Sequence, residues 1–260
     1  MIGKAAPRDW PNPTRATVRL PVGDELAKVV QLVTSLLGEG AVPADVSHLI
    51  GALDDATVHL GTDPDGRQIR AQIEHADFEQ WERHLRKDKA GNVYIWNEKM
   101  RIRADKQGGG IGASRLRAQV ENAFYGGIAY VACHAARVNT QNPDPQRAFI
   151  GYRLWPKLGF DQTLDKLEKG TDNADEVRKG TPAAFPETAR MIRKLFGEDV
   201  ESIRALFEKR GGPEWWQTNG VELYHAVFDL ASGSRSLKTF NNYWHAPHRG
   251  GIPLCLKNPT

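Results

Sequence analysis

Cysteine is almost absent from these 260 residues: Cys133 and Cys255 are the two, far apart, with neither CxxC nor zinc-ligand spacing. A disulfide-built scaffold and a structural zinc site are therefore excluded from the expectations, and no metal site is expected elsewhere. Long apolar runs are missing too, and none approaches the 18 or so residues of a membrane span. Residues 1–10 lack the apolar stretch of a signal peptide, and Gly3 is not at the position that myristoylation requires. A soluble, cytoplasmic protein is the expectation. Charge of one sign is also lacking: 35 Lys and Arg against 32 Asp and Glu leave +3, which gives no nucleic-acid footprint. Internal repeats and low-complexity tracts are absent.

What is present is a globular balance, 40% apolar and 26% charged, with enough side chains for a sizeable core. Glycine is in excess: 25 residues, where average usage gives roughly 18. Four of them fall at 108, 109, 110 and 112, and pairs stand at 126–127, 211–212 and 250–251. The surplus is local. It marks one loop and several element ends rather than general flexibility.

Residues 1–20 carry Pro7, Pro11 and Pro13 and read as an extended arm. Leu26, Val29, Val30, Val33, Leu36 and Leu37 fall at helical spacing after Asp24, and Gly38 supplies the stop. A second helix starts at Pro43 with Val46, Leu49, Ile50 and Leu53 on one face. Alternation over 57–60 and 68–74, with a turn at 63–66, reads as a hairpin. Asp77 reads as the cap of a helix carrying Phe78, Trp81 and Leu85. Strand character returns at 93–96 and 100–104, out of phase by one residue, so that 97–99 is either a hairpin turn or a β-bulge. The glycine loop follows, then a helix with Leu116, Val120, Ala123 and Phe124, and a strand over 128–135. A polar loop over 139–147 overlaps the start of a helix from about 144 to 158. Residues 162–212 are charge-rich and helical, with apolar Met191, Ile192, Leu195, Ile203, Leu206 and Phe207. A strand around 224–230 and a polar turn at 232–236 end the pattern. The class is α/β or α+β.

The loop over 104–114 reads ADKQGGGIGAS and joins a strand to a helix, so its glycines bring backbone N–H groups and a helix N-terminus to one place, suited to phosphate. A Walker A loop needs Lys before its Ser or Thr, and here Ala113 precedes Ser114. A dinucleotide fingerprint needs an acid on the following strand, where residues 132–135 read ACHA. Gln107-x-x-Gly110-x-Gly112 resembles the Q/R-x-x-G-x-G/A acyl-CoA pyrophosphate loop of the GNAT N-acyltransferase superfamily. The helix that ends LWPKLGF at 154–160 resembles that superfamily's closing Leu-Tyr-x-x-x-Gly-Phe element. These pieces cover about 93–161, and with the upstream hairpin the similarity reaches back to about 56.

The resemblance implies a mixed, mostly antiparallel sheet flanked by helices. An N-terminal arm and helices would occupy 1–55, an acyl-CoA-binding core 56–161, a helical insertion 162–212, and a strand unit completing the core 213–260. It implies acyl-CoA, acetyl or longer, as cosubstrate on Gln107, Gly108, Gly109, Gly110, Ile111, Gly112, Ala113 and Ser114. An amine would attack the thioester in a splayed gap between neighbouring strands. Glu98, at the phase slip, and His134 are the candidate proton acceptors. The bland alternatives are a solvated turn carboxylate and a core histidine.

The family's tyrosine acid would stand at 155, where this chain has Trp155, and Pro156 follows. Tyr152, one turn earlier, is the nearest phenol. Either the acid has moved, or water assists the thiolate, or catalysis has been lost. Arg101, Arg103, Lys106, Arg115 and Arg117 flank the loop as phosphate partners or as a solvated basic face. Trp215, Trp216 and Trp244 read as groove or core, Ser232–Ser236 as anion turn or polar turn, and His245 with His248 as a tail. The expected activity is N-acyl transfer to a primary amine, such as a lysine or ornithine side chain of a protein or ribosomally made peptide. The alternatives are a non-catalytic acyl-CoA-binding scaffold and a toxin-like acyltransferase acting on aminoacyl-tRNA.

Overall fold

Val58, Leu60, Ile69, Ala71 and Ile73 alternate along two strands and are all buried, which places one face of a hairpin against a core. The computed structural model describes residues 9–135, 151–170 and 184–245. Contacts group these into two units, one of residues 9–131 with 230–232, the other of the described residues among 132–229 and from 233 onward.

In the first unit, β1 (Thr17–Arg19) pairs parallel with β2 (Thr57–Thr62). From there β2, β3 (Ile69–Glu74), β4 (Phe78–Lys87) and β5 (Val93–Ile102) pair antiparallel in sequence order. The expected hairpin turn is present: Gly66 takes φ 64°, and Asp63 Oδ1 accepts from the amides of Arg67 and Gln68. Between β1 and β2 run α1 (Asp24–Leu37) and α2 (Pro43–Leu49). Helix α1 buries Val29, Val33, Leu36 and Leu37, whereas Leu26 and Val30 from the same expected stripe are exposed. Pro43 opens α2 where a missing N–H costs nothing.

The helix expected from Asp77 is strand β4 instead. Between Phe78 and Gln80 the pairing with β5 shifts by one, so Glu79 is a bulged residue. The bulge brings Phe78 and Trp81, three residues apart, onto one face, where their rings stack at 4.3 Å. An i, i+3 apolar spacing is a helical signature unless a bulge creates it, and a single sequence does not separate the two.

The phase slip in β5 has the same cause. Glu82 pairs with Lys99 and Arg83 with Asn97, so Glu98 is the extra residue, and 93–102 is one bulged strand rather than two. Asn97 thereby faces α3 (Ile111–Tyr125) and exchanges two hydrogen bonds with Gln119, at 3.1 and 2.9 Å, both side chains being buried. Asn97→Leu strands the Gln119 amide and is expected to cost about 2 kcal/mol in urea unfolding, most of which the double variant with Gln119→Leu recovers. Equal losses in single and double variants would refute the pairing's role.

Strand β6 (Tyr130–Ala135) follows α3, and the chain passes from the first unit to the second within it. The second unit contains the end of β6, then α4 (Gly151–Lys157), α5 (Leu164–Lys169), α6 (Pro186–Phe196), α7 (Ile203–Glu208), α8 (Gly212–Asn219), β7 (Leu223–Asp229) and α9 (Arg235–His245). Helix α9 replaces the expected end of the pattern after the polar turn. Its Phe240 packs edge-on against Phe228, which meets Phe160, which meets Trp155, at ring separations of 5.0–5.5 Å. Of the apolar residues expected in 162–212, Ile192, Ile203 and Leu206 are buried, while Met191 and Leu195 are exposed. The loop over 139–147, the first part of the helix expected from 144, and Cys255 lie outside the described residues. The observed class is α+β with mostly antiparallel pairing.

Candidate functional site

The glycine loop follows the end of β5. A short turn of 3-10 helix (Ala104–Lys106) leads into it, and Gln107 Nε2 donates to the Ile102 carbonyl at 3.0 Å, tying the loop back to its strand. Gly108 and Gly110 take φ 85° and 76°, in the left-handed region that glycine enters without steric cost. Both face open space, and Gly109 between them is exposed, a Cβ there meeting only the Lys106 carbonyl oxygen at 3.9 Å. Gly110 is the N-cap of α3, with no side chain capping the helix and no acidic residue in its first turn. The amides of Ile111, Gly112 and Ala113 thus end a 15-residue helix that offers an anion N–H donors and the positive end of its dipole. Ser114 turns inward, its Oγ donating to the Ile111 carbonyl at 2.9 Å. Gly112 serves packing: a Cβ there would lie 3.1 Å from Ile102 Cδ1 and 3.4 Å from Met100 Cε.

The flanking cations have acidic neighbours. Arg101 pairs with Glu79, Arg103 with Asp105, Lys106 with Asp77 and Arg117 with Glu121. Arg115, half-buried just past the first turn of α3, is pushed below its ordinary pKa by burial, with Asp54 opposing. Any basic character at the loop is therefore balanced locally.

On the same strand, Glu98 is half-buried at the bulge and accepts from Trp96 Nε1 at 2.6 Å. Next to it, a chain of charge runs along β4 and is joined by Arg70 of β3. Arg70 and His84 both reach Glu82 Oε1, at 2.9 and 2.7 Å, and Arg86 Nη2 lies 2.8 Å from His84 Nδ1. A guanidinium only donates, so Nδ1 accepts and the ring's proton sits on Nε2, which donates to Glu82. The His84 hydrogen bond, with Arg70 adding to it against the cost of burial, lowers the Glu82 pKa from 4.5 to about 2. A carboxylate depressed on folding stabilises fully above its unfolded value and loses that contribution as pH falls through its folded one. The advantage of the wild type over Glu82→Gln is thus expected to be full above pH 4.5 and to fade toward pH 2, as urea unfolding across that range would read.

In the second unit, His134 lies on β6, Nε2 being 3.0 Å from Glu222 Oε2 and its ring stacked on Tyr224 at 4.6 Å. Tyr152, on α4, is buried. Arg153 Nε donates to its hydroxyl at 2.6 Å, and that hydroxyl faces the Gln217 carbonyl at 3.5 Å. Trp155 is buried against Phe160, and Cys133 is buried on β6. Trp216 is fully buried with its indole N–H on the Tyr152 carbonyl, so it belongs to the core. The turn at 232–236 uses its serines internally: Ser234 Oγ accepts from the Leu237 amide and donates to the Asp229 carbonyl.

The loop and Glu98 are thus held on adjoining elements of the first unit, while His134 and Tyr152 belong to the second. Glu222 is the residue that sequence spacing missed. It lies 88 positions from His134, and no local pattern marks such a pair. Among the described residues no group of three His, Cys, Asp or Glu side chains is placed to hold a metal. No helix among them is long and apolar enough to cross a membrane. No family model matches this chain, and neither a curated protein nor a solved structure does.

Proposed function

We propose that this chain is an acyl-CoA-dependent N-acyltransferase of GNAT-like fold, acting on a primary amine. The observation that carries the reading is the strand–glycine loop–helix unit over 93–125. Gly108 and Gly110 adopt left-handed backbone over open space, and α3 begins without side-chain cap or acid. A loop that only reversed the chain would need one such glycine. Exposed consecutive glycines leading to an open helix N-terminus suit the pyrophosphate of acyl-CoA, acetyl or longer, which is the cosubstrate in this reading. Residues 107–114 would hold it through backbone N–H groups.

In the proposed reaction the neutral amine forms the C–N bond, the thioester C–S bond breaks, and the electron pair leaves with sulfur as the CoA thiolate. The bulge at Glu98 supports a further part of the reading. A bulge leaves backbone N–H groups out of the strand ladder, and such a donor suits a developing oxyanion. Glu98 and His134 remain the proton-accepting candidates, and Tyr152 the candidate acid. The acceptor proposed is a lysine or ornithine side chain of a protein or ribosomally made peptide.

A second reading, an acyl-CoA-binding module without transfer, is favoured by one observation. Trp155 stands where the family's acid would be, and its ring is packed into the core against Phe160. Calorimetric titration with CoA, acetyl-CoA and a long-chain acyl-CoA tests both. Binding with release of free thiol in the presence of lysine- and ornithine-bearing peptides is the outcome expected for the transferase. Binding to none of the three would overturn both readings.

A further inference from the structure

We propose that Glu222 is the positioning residue of a proton-accepting imidazole at His134, an inference that rests on the acyl-transfer reading. Three features of the second unit support it. The Glu222 carboxylate only accepts, so at 3.0 Å it takes the Nε2–H of His134 and leaves the lone pair on Nδ1. The imidazole plane is fixed from one side by Tyr224, stacked at 4.6 Å and 20°, whose ring is itself stacked against Phe185 at 6.3 Å. Both members of the pair are accessible, with side-chain exposures of 30% and 31%. A core histidine satisfied by packing would be closed to substrate; this one is oriented, paired and open. Nε2 carries the ring's one hydrogen bond among the described residues.

The proton balance follows from that orientation. His134 Nδ1 takes one proton from the acceptor's ammonium, and the imidazolium formed is stabilised by Glu222. The freed amine nitrogen then attacks the thioester carbon. Its second proton goes to the departing thiolate as the C–S bond breaks, and His134 returns its proton to solvent.

The test has two arms. Long-range proton–nitrogen spectra of protein labelled with nitrogen-15 histidine, assigned with His134→Gln, report the tautomer without any substrate. The wild type should show His134 protonated at Nε2. Glu222→Ala should lose that preference, and Glu222→Gln, which keeps an acceptor oxygen, should retain it. In the second arm, thiol release from acetyl-CoA with a lysine-bearing peptide should fall about tenfold to a hundredfold in kcat for Glu222→Ala. KM for acetyl-CoA should stay within about twofold, because the residue acts on proton transfer and not on uniform binding. A wild-type His134 protonated at Nδ1, or a Glu222→Ala variant unchanged in tautomer and in kcat, would overturn the proposal. Absence of acyl-CoA binding by the wild type overturns the acyl-transfer reading and the proton-accepting role with it, and the spectra then still decide whether the pair exists.

Discussion

Gly159→Ala is expected to destabilise the protein by about 3 kcal/mol or more, from two separable sources. Gly159 ends α4 at φ 102°, a backbone conformation that L side chains rarely adopt. A Cβ there would also lie 2.6 Å from the Ser236 carbonyl oxygen and 2.9 Å from Phe228 Cε2. Backbone cannot swing aside as the end of a long side chain does, so either the junction of α4 with α9 opens or the aromatic cluster repacks. Gly233→Ala is the internal control. Its φ is 76° with nothing within 4 Å of the added carbon, so it carries the backbone strain alone, about 1 kcal/mol. Urea unfolding monitored by tryptophan fluorescence would read both variants, and a difference between them below about 1 kcal/mol would show that the contact with Ser236 is not tight. The same experiment explains the Leu-Gly-Phe element at 158–160 in physical terms. Leu158 and Phe160 are anchored in the core, and only glycine lets the chain turn between them.

Gly110→Asp is expected to lower affinity for acyl-CoA by about a hundredfold while leaving the fold intact. Open space surrounds the position, so a side chain fits, but Asp places a full negative charge at the helix end proposed to receive the pyrophosphate. At a few ångströms that repulsion is worth about 3 kcal/mol at an intermediate dielectric. Gly110→Asn separates charge from conformation, because asparagine tolerates the left-handed region and carries no charge. The Asn variant should bind within about fivefold of the wild type. Calorimetry with acetyl-CoA at 50 and 300 mM salt would measure both, and the gap between Asp and Asn should narrow at the higher salt. Equal affinities for the two variants would remove the pyrophosphate from this loop.

Several elements were readable from residue order because their signals are local. Pro43 and Gly38 punctuate helices through backbone sterics that depend on no partner. The alternation in 57–60 and 68–74 reflects one buried face. The glycines at 108–112 mark a strand-to-helix turn wherever they stand. Strand β4 was illegible for a specific reason. The bulge at Glu79 converts a period of two into a spacing of three, which is the period of a helix, and only pairing with β3 and β5 distinguishes the two. Leu26 and Val30 failed as core residues because the helical stripe is wider than the surface that α1 covers.

At the candidate site the division runs the same way. The residue order by itself determined the loop: which positions accept left-handed backbone, where α3 begins, and the want of acid in its first turn. It also placed one surplus residue in 97–99, while leaving open whether that meant a turn or a bulge. Tertiary structure decided that the surplus residue is Glu98, that Asn97 meets Gln119, and that His134 is paired with a carboxylate 88 positions away. The physical reason is range. Steric limits on the backbone act within a few residues and are written in the order of the chain. Hydrogen bonds between side chains depend on which strands and helices pack together, and that is settled only when the whole chain has folded.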